Sequence, residues 1–175
     1  MARGPKPPIE ALEVAIGHIF VKRELLKHAL THVSAIQKRT ESYQRLEFLG
    51  DRVLGLAVAG MLYEMFPDSE EGDMSRRLAA LVRKETCAEV ARDWDVGPHL
   101  RLGAGESATG GRQKTAILGD VCESIIGAVY LDAGYEAARD VVVRGFSHRM
   151  AQPRRPLQDA KTSLQEWAQG RGLPP

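Results

Sequence analysis

Cysteine is scarce in this chain, with two residues in 175 and no metal-ligand spacing between them. Cys87 and Cys122 both fall in helical patterns. That excludes a disulfide scaffold and reads as reduced core thiols of a cytoplasmic protein. Excess charge is missing too: 24 Lys and Arg stand against 23 Asp and Glu, a net charge of +1. A chain so balanced lacks the broad basic field of a simple electrostatic nucleic-acid binder, yet nothing prevents an enzyme with a local site. No apolar run reaches the roughly 18 residues of a membrane span, and the Met1–Pro8 start has no apolar signal core, so no membrane partner is expected. Alternating strand patterns are absent as well.

What remains is helical periodicity and 43% hydrophobic residues, enough for a core. The length suits one domain with a little left over. Apolar spacing predicts short amphipathic helices near Ile9–Ile16 and Lys22–Leu30. A long helix then runs from about Tyr43 to Phe66, ended by Pro67. An acidic loop, 68–73, leads into a second long helix, about Met74–Trp94, broken by Gly97 and Pro98. After a glycine-rich loop, 103–111, a third long helix covers about Lys114–Asp132 and stops at Gly134, and another fills Glu136–Met150. From Ala151 the texture changes. Residues 151–158, with Pro153, Arg154, Arg155 and Pro156, read as an extended basic linker, and 159–175 as one amphipathic helix with nothing to pack on. The chain is expected to stop inside a second domain.

Two acid pairs interrupt the apolar helices. Glu47 and Asp51 are four residues apart and project about 40° from one another; Asp120 and Glu123, three apart, are separated by about 60°. Like charges at these spacings repel, and apolar neighbours such as Leu46, Phe48, Leu49, Val53 and Leu54 imply partial burial. Four glycines lie beside them: Gly50, Gly55, Gly119 and Gly127. Each costs roughly 1 kcal/mol relative to alanine inside a helix, so something must approach the backbone there, either a facing helix or a ligand. The bland alternative for the acids is a set of salt bridges to Arg45, Arg52 or Arg112. Hard oxygen ligands in excess suit Mg²⁺, and such a site hydrolyses phosphodiesters by activating water and neutralising developing charge.

Other constellations carry less. The 105–111 loop has no Gly-Lys-Ser/Thr and no preceding strand, so it is not a phosphate loop. His28 and His32 have the spacing of a zinc helix but Ala29 stands where a metalloprotease needs Glu; core or capping histidines fit better. Arg76, Arg77, Arg83 and Lys84 form a basic helical patch that either meets phosphates or is a solvated face.

The run Gln44-Arg45-Leu46-Glu47-Phe48-Leu49-Gly50-Asp51-Arg52-Val53-Leu54 closely resembles the signature helix of the bacterial ribonuclease III family. Supporting matches are Ala29-Leu30-Thr31-His32, Glu70-Glu71-Gly72-Asp73-Met74-Ser75, Gly105-Glu106 with Gly110-Gly111-Arg112, and the segment from Ile117 to Gly127. Lys161-Thr162-Ser163-Leu164-Gln165-Glu166 resembles the first helix of a double-stranded-RNA-binding domain. The resemblance implies an all-α endonuclease domain over 1–150, homodimeric, cutting double-stranded RNA with Mg²⁺ (Mn²⁺ as a substitute) to leave 5′-phosphate and 3′-hydroxyl ends with short 3′ overhangs. It makes Glu47, Asp51, Asp120 and Glu123 the metal ligands, with Asp51 and Glu123 catalytic and Glu123 the most critical. Glu71 becomes an auxiliary acid near the site and Phe48 an aromatic that plugs into the partner subunit. Thr162, Gln165 and Glu166 become RNA contacts of a truncated second domain, one helix of which cannot span an A-form duplex.

One departure touches the site. The commonest family pattern has an acid where this chain has Gln44, which hydrogen-bonds to a metal-bound water without adding charge. Altered metal or substrate handling is expected rather than loss of activity. The rival from another class is a non-catalytic duplex-RNA-binding scaffold on the same fold, against which four retained, crowded acids argue. A helical nucleotide phosphohydrolase shares the metal chemistry and differs in hydrolysing free nucleotides.

Overall fold

The computed structural model describes residues 7–150, together with Ala168 and Arg171. Seven α-helices follow in order: α1 Ile9–Ile16, α2 Arg23–Ala29, α3 Gln44–Met65, α4 Glu71–Val82, α5 Lys84–Asp93, α6 Ala104–Ala108 and α7 Thr115–Met150. Short 3₁₀ turns sit between them at Val33–Ala35, Arg39–Glu41, Gly97–His99 and Gly111–Gln113. Thr31 and Arg101 form one isolated bridge, and no strand occurs among the described residues. None of the described helices is long and apolar enough to cross a membrane.

The core is built on α7. From Ile117 to Val129 every residue is buried except Asp120, which is half-buried. A helix apolar all round has to be the centre of its fold, and α3, α5 and α2 pack around it. α3 presents Leu46, Gly50, Val53, Leu54, Ala57, Val58, Met61 and Leu62 to it, a stripe of helical period. Each aliphatic side chain so buried contributes about 1.5–3 kcal/mol. α7 breaks where the sequence places the stop: Gly134 has φ 84° and ψ −174°, left-handed backbone that favours glycine. Just before the break, the Asp132 carboxylate accepts the Val21 and Lys22 backbone N–H groups at 3.0 and 2.8 Å and pairs with His18 at 2.9 Å. That anchors the α1–α2 connection on α7.

Three expectations are revised. The helix foreseen over Met74–Trp94 is two helices, because Arg83 is extended (ψ 154°) between α4 and α5. The buried Thr86 hydroxyl donates to the Ala80 carbonyl at 3.0 Å and holds the corner. The acidic loop over 68–73 is shorter than expected, since Glu71, Gly72 and Asp73 form the first turn of α4, where acids suit the helix dipole. The glycine-rich loop contains α6. Cys87 and Cys122 are free and buried, as core thiols should be. The linker 151–158 and, apart from Ala168 and Arg171, the helix expected over 159–175, with Thr162, Gln165 and Glu166, lie outside the described residues.

Candidate metal centre

Glu47 projects from the first turn of α3; Asp120 and Glu123 project from the second and third turns of α7. What brings them together is the crossing of the two helices at backbone contact. A Cβ on Gly50 would overlap the Glu123 carbonyl oxygen, and one on Gly127 would overlap the Leu46 carbonyl oxygen. The glycines beside the acids therefore admit a facing helix. Gly119 does the same for Lys84 on α5, whereas a Cβ on Gly55 would meet nothing within 4 Å.

With the crossing this tight, one carboxylate oxygen each from Glu47, Asp120 and Glu123 lie within 4.8 Å of one another. Glu123 is only 8% exposed. Its pKa is pushed up to about 7, first by burial and then by the charges of Glu47 and Asp120, against the pull of Lys84 and Arg52. Burial and the charge of Asp120 also raise the Glu47 pKa, with Lys84 opposing. Asp120 is held from two sides: Lys84 Nζ lies 2.6 Å from Oδ1, and the Tyr43 hydroxyl donates to Oδ2 at 3.2 Å. Burial and this acid keep the Tyr43 phenol protonated far above its ordinary range. The contact with Asp120 raises the Lys84 pKa against the cost of burial.

Asp51 stands apart from the three. It is expected among the metal ligands, one turn after Glu47, and here its carboxylate pairs with the neighbouring Arg52 guanidinium. It lines the same open cleft of about 480 Å³ as Gln44, Glu47, Phe48, Arg52, Lys84 and Glu123. Gln44 is exposed at the rim, its side-chain oxygen 3.4 Å from the Ser42 hydroxyl. Glu71 does not reach the cleft within this chain. It accepts the Ser75 hydroxyl at 2.7 Å and lines a separate recess of about 240 Å³ with Tyr63 and Met74.

The salt-bridge alternative holds in part. Arg52 takes Asp51, and Asp120 has Lys84, but no ion pair among the described residues includes Glu47 or Glu123. Arg112 instead donates to the carbonyls of Gly97, Pro98 and Leu100 at 2.8, 3.1 and 2.8 Å. The basic patch also divides: Arg76 and Arg77 pair with Asp73 at 3.8 and 2.8 Å, Arg83 with Glu85 at 3.9 Å, and Lys84 alone of the four turns to the acids. The sequence put Lys84 in a patch that either meets phosphates or is solvated, and gave Tyr43 no role. His28 and His32 join no metal-binding group among the described residues, and His32 Nδ1 lies 2.7 Å from the Ser34 hydroxyl.

Beside the cleft runs an uncovered apolar face. Phe48 is 67% exposed, Leu56 61% and Tyr63 74%. Spacings of eight and seven residues put them on one side of α3. The Arg52 guanidinium covers the Phe48 ring at 5.0 Å, and a neighbouring hollow of about 640 Å³ is lined by Leu25, Leu46, Phe48, Leu49 and Leu131 among others.

Three hard oxygen donors converging with too little positive charge to balance them fit a divalent cation of the Mg²⁺ class. The chain is also similar to known proteins. A family model described as Ribonuclease-III-like matches residues 22–150. Ribonuclease 3 of Methylocella silvestris is 61% identical over 97% of the chain and 72% of its own length. Ribonuclease 3 of Azorhizobium caulinodans is 60% identical, over 94% and 72%. The nuclease domain of ribonuclease III from Campylobacter jejuni superposes with a TM-score of 0.77 at 39% identity, covering 83% of this chain and 98% of that one. A second structure of that domain, described by its flexibility in a region involved in dimer formation, gives 0.76 at 40% identity, over 81% and 97%.

Proposed function

We propose, since the chain belongs to the ribonuclease III family, that this endoribonuclease cleaves double-stranded RNA with Mg²⁺ held by Glu47, Asp120 and Glu123. The observation that carries the reading is the convergence of these three carboxylates, two of which, Glu47 and Glu123, line an open cleft. Held by these residues, Mg²⁺ would supply Lewis-acid activation of water and would offset charge on the scissile phosphate.

The protein's own side chains do the rest. Glu123, with its pKa near 7, sheds its proton around neutral pH and becomes a ligand with little competition above it. Tyr43 fixes one oxygen of Asp120 by hydrogen bond, and the Lys84 ammonium lies against the other. Arg52 lines the same cleft with Asp51 as its counter-charge, a guanidinium that an incoming phosphate would meet. Gln44 at the rim hydrogen-bonds water without adding charge. Products carry 5′-phosphate and 3′-hydroxyl ends. Thr162, Gln165 and Glu166 serve as further RNA contacts at the start of a second domain, and the reaction takes place in the cytoplasm.

The functional unit in this reading is a homodimer built on the exposed face of α3, with Phe48 as the anchor filling an apolar hollow of the partner. Light scattering is expected to give twice the 19.2 kDa chain mass. Phe48→Asp should weaken the dimer by at least about 30-fold, the usual cost of losing a central aromatic anchor. A monomeric wild-type chain at micromolar concentration would remove the role given to Phe48.

Incubation of the chain with long duplex RNA at low salt tests the activity, beside single-stranded RNA and a chelator-treated control. Low salt strengthens phosphate contacts and so favours detection. Cutting of duplex alone, dependent on Mg²⁺, is the expected outcome. Duplex binding without cutting would favour the scaffold reading, and hydrolysis of free nucleotides without RNA cleavage would favour a phosphohydrolase.

A further inference from the structure

We propose that Lys84 is the resident counter-ion of the acidic cluster: its ammonium holds Asp120 in the metal-free protein and competes with a divalent cation for that carboxylate. The inference rests on the metal-centre reading above and adds a positioning residue to it. Lys84 Nζ is 2.6 Å from Asp120 Oδ1, and Lys84 shares the cleft wall with Glu47 and Glu123. Among the described residues the only other group holding Asp120 is the uncharged Tyr43 hydroxyl.

The fold is shaped to bring this lysine in. A Cβ on Gly119, the residue before Asp120, would lie 2.7 Å from Lys84 Cγ and 2.9 Å from the Lys84 carbonyl oxygen. A missing side chain on α7 thus lets the start of α5 lie flat against it, with the lysine stem in the gap. Helix energetics do not select the residue, because Lys84 is the first residue of α5, where the helix dipole disfavours a cation. Its two nearest basic neighbours in the same stretch find partners elsewhere: Arg83 on Glu85 and Arg77 on Asp73. With Lys84 on Asp120 and Arg52 on Asp51, Glu47 and Glu123 are the acids of this group that no ion pair among the described residues includes.

A positive charge seated among the ligands stabilises the empty cluster and repels an incoming cation. Removing it should therefore move two observables in opposite directions. The experiment is a calorimetric titration of the chelator-treated chain with Mn²⁺ in mildly alkaline buffer, paired with thermal melts of the metal-free protein. Wild type, Lys84→Met, Lys84→Gln and Lys84→Arg are compared, with Glu123→Gln as the site control. Lys84→Met and Lys84→Gln should bind Mn²⁺ roughly tenfold tighter and melt at lower temperature without it, while Lys84→Arg stays near wild type in both. Unchanged or weaker Mn²⁺ binding in the neutral variants would overturn the proposal, since a merely structural lysine loses stability and affinity together. If wild type and Glu123→Gln bind Mn²⁺ alike, the cluster is not the metal centre, and the assignment of Lys84 falls with that reading.

Discussion

Glu123→Gln should lower duplex-RNA cleavage by on the order of a thousandfold and at the same time raise the melting temperature of the metal-free protein. Both effects come from one cause. Glu123 is buried against two other acids, so its ionised form is disfavoured and its pKa stands at about 7 rather than 4.5. The folded state holds a proton that the unfolded chain has released. Its contribution to stability is full below about pH 4.5 and is lost as pH rises toward 7. Gln keeps the neutral state at every pH, so the variant does not suffer that loss. Above pH 7 it should be more stable by roughly 1–3 kcal/mol, read as several degrees in a thermal melt. The wild-type advantage lies in the charge itself, which a metal ligand needs. Cleavage should therefore climb as pH passes through about 7, and the Gln variant should stay inactive across the range. A variant that cleaves like wild type, or a melting temperature that falls, would contradict the role given to this side chain.

Gly50→Ala should cost about 3 kcal/mol or more, a large fraction of a domain's whole stability. The new Cβ would overlap the Glu123 carbonyl oxygen and crowd the Gly127 nitrogen, which are backbone atoms of the central helix and have no rotamer to yield. α3 and α7 would have to part, and the separation would also draw Glu47 away from Asp120 and Glu123. Urea denaturation measures the loss, and weaker Mn²⁺ binding should accompany it. Gly55→Ala is the contrast: with nothing within 4 Å of its Cβ, it should be neutral or stabilise by up to about 1 kcal/mol through helix propensity. Equal effects at the two positions would mean that the close crossing does not set the cluster.

Much of this arrangement can be read from the chain because it follows helical period. Apolar spacing locates α1 and α3 almost to the residue, Gly134 marks the break in α7, and the offsets of Glu47, Asp120 and Glu123 put them on inward faces. The corner at Arg83 is invisible to such reasoning. No glycine or proline marks it, and the turn is imposed by packing of α5 on α7 at Gly119 and by the Thr86 hydroxyl. Asp51 shares the period of Glu47, yet its carboxylate is taken by an adjacent arginine, a local choice that spacing does not encode. Lys84 and Tyr43 reach Asp120 across 36 and 77 positions of sequence, and only the fold brings them there. With the corner at Arg83 hidden, the sequence put Lys84 in the middle of a long helix, and it gave no signal for Tyr43.

The most direct measurement is anomalous diffraction from crystals of the chain grown or soaked with Mn²⁺. The expected result is a peak in direct coordination with carboxylate oxygens of Glu47, Asp120 and Glu123, with the Lys84 ammonium withdrawn from Asp120. A peak elsewhere, or an empty cluster with Lys84 still seated on Asp120 at millimolar Mn²⁺, would contradict the assignment of these three acids as the metal centre.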